Sequence, residues 1–179
     1  MEIISKEIIN SSKYLNFIRT LFKNQRNETD YWFSVERPNS GKTVIVAALH
    51  HNKLVVTREF RVAIGDYEWG IPAGLVDDNE SPEQTAIREL KEETDLIVDQ
   101  IIGCTPYLYN SAGLTNEVVS IVYCRASGIQ GQSGNEKDEE IQCYLMDKAE
   151  VLKLIQDPSK KFSAKAYLIF ERFVKGDLW

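Results

Sequence analysis

The residues that most restrict what this chain can fold into run from Gly74 to Leu96, GLVDDNESPEQTAIRELKEETDL. Ser81, Pro82 and Gln84 stand where a helix N-cap, first position and third position would, a capping-box start. The spacing predicts a helix from Pro82 to Thr94, with Ala86, Ile87, Leu90 and Thr94 as its core-facing stripe. Glu89, Glu92 and Glu93 then share one face, offset from that stripe. Glu89 and Glu93 are like charges at i, i+4, which costs about a few tenths of a kcal/mol in an isolated helix. A divalent cation would turn that cost into a ligand set, because Mg²⁺ takes hard oxygens, typically one or two carboxylates plus substrate phosphate. The segment therefore points to phosphate chemistry.

Around it the pattern is one of short strands with few helices. Strands are expected near Ile3–Ile9, over Trp32–Arg37, at Trp69–Ile71, within Ile97–Tyr109, over Val118–Arg125 and at Ile141–Met146. Thr43–Leu49 and Leu54–Phe60 form the best hairpin candidate, joined by His50–Lys53. The stretch between Ile9 and Asp30 reads as polar and dotted with aromatics, and Pro38–Gly41 as a turn. Asp147 and Ser163 are candidate caps for helices through Ile155 and from Ala164 to Lys175, the second stopped at Gly176. The Gly-rich, acidic segment 127–140 reads as a long mobile loop. Mixed strands with helices outside them imply an α/β (α+β) sandwich.

Composition sets the outer bounds. The 179 residues suit one domain of ordinary size with a real core, divided here into an N-terminal segment, 1–40, and a main body, 41–179. A net charge of −6, with no basic block, speaks against a nucleic-acid partner. The lack of a long apolar run speaks against a membrane one. Cys104, Cys124 and Cys143 lack any CxxC pattern and read as reduced, buried thiols of a cytoplasmic protein. His50 and His51 fall in the hairpin turn and are expected in solvent. Gly41-Lys42-Thr43 ends like a P-loop, but Glu36 stands where glycine is required and a strand follows where a helix is needed.

Gly74, Glu80, Arg88, Glu89, Leu90, Glu92, Glu93 and Leu96 together resemble the Nudix box, with Asp95 in place of its second glycine. TREFR (57–61), IPAG (71–74) and YNSAGLTNE (109–117) are similar to the ADP-ribose pyrophosphatase branch of that family. Within this resemblance Glu59 replaces the usual Gln, Gly70 a Glu and Ala112 a Pro. Asp tolerates the left-handed region, so the turn at Asp95 is expected to survive.

The resemblance implies a Nudix-type α/β/α sandwich with a mixed sheet and a loop-helix-loop catalytic motif. It implies Mg²⁺ (Mn²⁺ as the alternative) held by Glu89, Glu93 and the Ala73 carbonyl, with Glu92 a third ligand or a supporting acid. Arg88 would pair with Glu92 and orient the acids, while Glu80 would organise the loop. Arg61 would contact the diphosphate, and Glu117 would activate or orient the attacking water. Trp32 and Arg37 would stack on or clamp the adenine and terminal-sugar region. The implied activity is hydrolysis of a nucleoside diphosphate-sugar, ADP-ribose first, by a homodimer whose N-terminal strands reach the partner's site. Alternatives are a nucleotide sensor without turnover, or a pyrophosphatase for a GDP-sugar, a nucleoside triphosphate or a dinucleoside polyphosphate. Asp138, Glu139 and Glu140 read as solvated loop charge that in such proteins can approach the metals.

Overall fold

The structure is a computed structural model that describes residues 1–38, 41–131 and 140–178. In chain order its elements are β1 (Glu2–Ser11), β2 (Asn16–Lys23), β3 (Thr29–Glu36), β4 (Lys42–His50), β5 (Lys53–Arg61), β6 (Asp66–Gly70), β7 (Ala73–Leu75), α1 (Pro82–Thr94), β8 (Ile97–Cys104), β9 (Leu108–Tyr109), β10 (Val118–Ser127), β11 (Ile141–Met146), α2 (Lys148–Gln156), β12 (Lys161–Phe162) and α3 (Ala164–Lys175). They divide into two compact units. One comprises Met1–Thr43 with Tyr107–Val119, the other Val44–Pro106 with Ser120–Trp179. Asp138 and Glu139, with most of the expected 127–140 loop and half of the Pro38–Gly41 turn, lie outside the described residues.

The first unit is built on an antiparallel sheet of order β1-β2-β3. β2 occupies the stretch that reads as polar in sequence. Its apolar residues come in adjacent pairs, Phe17-Ile18 and Leu21-Phe22, which hide a period of two. Only Ile18 of this strand is fully buried, and every residue of β1 is exposed. β9 pairs with Val118–Val119 at the start of β10.

The second unit holds a mixed sheet of order β12-β6-β5-β4-β10-β8, with β11 on β5 and β7 on β4. The β12–β6 pair is parallel, while β5–β6, β5–β11 and β8–β10 are antiparallel. β4 and β5 close through His51 and Asn52, both at positive φ, with His50 facing Lys53: a two-residue hairpin turn. His50 is not simply solvated, since its Nε2 lies 3.1 Å from the Gly128 carbonyl. Successive residues of β4 point to opposite faces, yet Val44 through Ala48 are all buried. The sheet is therefore covered on both sides. On one, Val44, Val46, Ala48 and Val55 meet Ala86 and Leu90 of α1. α2 and α3 pack on each other and bury Val151, Ile169, Phe170 and Phe173.

The helices among the described residues form for the reasons their ends announce. α1 carries the full Ser81/Gln84 capping box, and α2 an equivalent one from Asp147 and Glu150. α3 starts at Ser163 and stops on Gly176 at φ 85°. Asp95 takes the left-handed cap of α1 at φ 60°, its N–H donating to the Lys91 carbonyl. Two expectations are corrected. Ile87 is exposed and drops out of the core stripe, while Glu93 is buried among it. Cys104 is exposed, in contrast to the buried Cys124 and Cys143. No helix among the described residues is long and apolar enough to cross a membrane.

Candidate active site

In the second unit α1 lays its charged face against β7, and Arg88 is the hub of what gathers there. Its Nε and Nη2 donate to the two oxygens of Glu80, each at 3.1 Å, a bidentate pair. Nη1 donates to Glu89 at 2.8 Å and to Glu92 at 3.0 Å, and Nη2 also reaches the Leu75 carbonyl. Thr85 adds a hydroxyl bond to Glu80. The Arg88 guanidinium, followed by the Thr85 hydroxyl, holds the Glu80 carboxyl below the ordinary glutamate range. Hydrogen bonding to Glu80, then the charge of Glu89, raises Arg88 above its already high value. One guanidinium thus ties three carboxylates of the segment to the strand beside it.

Gly74 contributes room and not a turn. It lies within β7 and is absent from the glycines at positive φ. What it supplies is space: a Cβ there would stand 1.7 Å from Glu89 Oε1 and 1.9 Å from its Cδ. One residue earlier, the buried Glu93 accepts from the Ala73 N–H at 3.2 Å. Ala73, Glu89 and Glu93 are thereby brought to one stretch of backbone. Burial, and secondarily the Glu93 charge, pushes the neighbouring Cys143 thiol up to about 12.

The donor chemistry here fits a hard divalent cation. Two carboxylates converge on a backbone segment, with the remaining coordination left to water and phosphate, as Mg²⁺ prefers. Among the described residues no three His, Cys, Asp or Glu side chains are arranged to hold a metal by themselves. Glu92, half exposed, turns towards Arg88.

Beside Ala73 opens a cleft of about 210 Å³, lined among others by Thr57, Glu59, Arg61, Glu68 and Lys165. Arg61 bridges Glu59 at 2.7 Å and Glu68 at 3.2 Å. Lys165 has no counterpart in the sequence reading. Its signal was there in the Ser163 cap, which fixes where α3 begins and hence which side chains its first turn presents.

The first unit gathers the other expected residues. Arg37 Nε donates to Glu117 at 2.7 Å, and Asn110 donates to the same carboxylate at 2.6 Å. Trp32 Nε1 donates to the Gly113 carbonyl and the Val35 N–H to that of Leu114, fastening the 110–117 loop to β3. Trp32 remains half exposed beside a hollow of about 600 Å³ shared with Phe22, Ser34, Tyr109, Ala112 and Asn116. Asn110, which sequence reasoning passed over, has no charge or spacing to mark it.

The NUDIX domain family model matches residues 39–166. A mouse ADP-sugar pyrophosphatase is 30% identical over 135 residues, 70% of this chain and 62% of that protein, so the match spans less than two thirds of the relative. An ADP-ribose pyrophosphatase of Bacillus subtilis is 27% identical over 130 residues, 72% of this chain and 70% of that one. A crystal structure of an ADP compounds hydrolase superposes with a TM-score of 0.77 at 20% identity, covering 97% of this chain and 94% of the other, a likeness of fold.

Proposed function

Because the chain belongs to the Nudix family, we propose that it hydrolyses the diphosphate of a nucleoside diphosphate-sugar, ADP-ribose first. The observation that carries this reading is the placing of Glu89 and Glu93 at Ala73–Gly74, where only a glycine leaves room for the first carboxylate. The relatives named for ADP-sugar and ADP-ribose support the substrate class.

In this reading Glu89, Glu93 and the Ala73 carbonyl hold Mg²⁺. When bound, such an ion offsets charge on diphosphate oxygens and lowers the pKa of a bound water. Arg88 keeps the carboxylates oriented through its fixed fork. Arg61 binds the diphosphate, and Glu117, braced by Arg37 and Asn110, activates or orients the water. The water oxygen bonds to one phosphorus as the bridging P–O bond breaks, giving a nucleoside monophosphate and a sugar phosphate. Trp32 offers its exposed ring to the base.

The test is turnover of ADP-ribose, a GDP-sugar, NADH and a diadenosine polyphosphate with Mg²⁺, comparing wild type with Glu93→Gln. AMP release from ADP-ribose, lowered by orders of magnitude in the variant, is expected. Binding without AMP formation would favour a sensor and overturn the hydrolase reading.

A homodimer through the first unit belongs to the same proposal. Ile3, Ile8, Trp32 and Phe33 expose apolar surface on the β1-β2-β3 sheet, as an interface would. Light scattering that gives a monomer mass at assay concentration refutes it. Three cysteines outside any disulfide suit a cytoplasmic setting.

A further inference from the structure

The cleft beside Ala73 contains more than a diphosphate contact needs. On β5, Thr57, Glu59 and Arg61 follow at intervals of two and so line one face. Glu59 stands directly opposite Glu68 on β6, and Thr57 opposite Gly70. Two carboxylates facing each other across strands repel, and Arg61 offsets this by bridging both. Ser163 and Lys165, at the start of α3, complete the lining. With Arg61 and Lys165 against Glu59 and Glu68, cations and carboxylates are equal in number. A pocket built only to grip anions would not carry that balance.

Gly70 forms part of this lining with nothing obliging it to be glycine. Its φ is not positive, and a Cβ would meet only Thr57 Oγ1 at 3.4 Å. Neither backbone nor packing demands the missing side chain, so what the glycine provides is open floor. The volume, about 210 Å³, falls below the roughly 300–1,000 Å³ that encloses a whole drug-sized ligand. It suits one ring. Carboxylate oxygens accept from hydroxyl donors, an ammonium donates to hydroxyl oxygens, and Ser and Thr do both.

The geometry points to this cleft as the subsite for the sugar ring beyond the diphosphate, with Glu68 and Lys165 reading its hydroxyls and Gly70 making room for it. This rests on the hydrolase reading above and refines it: the sugar end is assigned to the cleft of the second unit, beside the Ala73 backbone. Lys165 and Gly70 thereby become specificity-determining positions.

The test is calorimetric binding to the full chain, without metal, of ADP-ribose and of the β-methyl ester of ADP, which replaces the sugar by a methyl group. A site built to hydrogen-bond hydroxyls discriminates against an analogue lacking them, and wild type is expected to prefer ADP-ribose by about tenfold or more. Lys165→Ala removes a donor, and Gly70→Glu fills the floor with a side chain its backbone tolerates. Each should shrink the preference to within about threefold, with thermal melts confirming the fold. Equal affinities in wild type, or a preference untouched by both variants, overturns the subsite. Turnover with Mg²⁺ is read in parallel. Hydrolysis of both compounds without a binding preference sinks the subsite alone, whereas a sugar-dependent preference without AMP release sinks the hydrolase reading alone.

Discussion

Replacing Gly74 by Ala adds one methyl group where the sign of the outcome is informative. At a position of negative φ, Gly→Ala ordinarily stabilises by about 0.4–1 kcal/mol, through the lost freedom of the unfolded chain. Here the new Cβ would fall 1.7 Å from Glu89 Oε1, well inside contact distance, so the carboxylate must swing away. An off-rotamer side chain costs about 0.5–1.5 kcal/mol. Breaking the 2.8 Å bond from Arg88 adds about 1.5 kcal/mol, the low end for charged partners because Arg88 keeps other acceptors. Set against the entropic gain, the net is about 1–2.5 kcal/mol of destabilisation, or roughly 2–10 °C in Tm for a domain of this size. Activity should fall further than stability. Displacing a ligand by about 1 Å costs about a hundredfold, and kcat is expected to drop by at least that. Differential scanning calorimetry and AMP release would be measured on Gly74→Ala and on the double variant Gly74→Ala/Glu89→Ala. The double variant should recover much of the Tm, since the clashing atoms are gone, while remaining inactive. A single variant as stable as wild type with undiminished kcat would refute the reasoning.

Arg88→Lys should not rescue the hub, because an ammonium cannot reproduce the fork that serves Glu80, Glu89 and Glu92 together. Urea unfolding is expected to show a loss of about 2 kcal/mol or more, and retention of full stability would count against the hub. The depressed Glu80 carboxyl makes a pH prediction: its contribution is present above the ordinary glutamate pKa and fades as pH falls through the lower folded value. The Tm gap between wild type and Glu80→Gln should therefore narrow between about pH 6 and about pH 3, and a constant gap contradicts it. Burial pushes the Cys124 and Cys143 thiols up to about 12, so in the native protein near pH 8 a disulfide reagent should label Cys104 fastest. Equal labelling of all three before denaturation would show that the buried pair is accessible.

What could be read from the sequence was what chemistry punctuates. Caps and breakers delimited α1 and α3, and the short run Ile141–Met146 coincides with β11. β2 escaped because paired apolar residues mimic no period. Ile87 and Glu93 traded places for a tertiary reason. The Ala73 amide, arriving from β7, gives a buried carboxylate a donor, while Ile87 stays 46% exposed. At the site the glutamate spacing identified the charged face of α1, but not the carboxylate-sized gap at Gly74, which depends on how close β7 comes. The Ser163 cap placed Lys165 in the first turn of α3, but its relevance comes from α3 meeting β6, a contact between segments far apart in the chain.

The first unit is discontinuous: residues 44–106 separate its two segments. The loop that carries Glu117 takes its bonds to Arg37, Trp32 and Val35 from strands laid down much earlier in the chain. The amino-terminal strands are consequently a scaffold for a distant loop and cannot be trimmed as an appendage. During synthesis they wait for the hydrogen bonds that Trp32 and Val35 make once Tyr107–Val119 emerges. A ribosome-bound chain halted short of residue 107 would hold these strands without the loop that fastens to them, the kind of partly assembled species prone to aggregate.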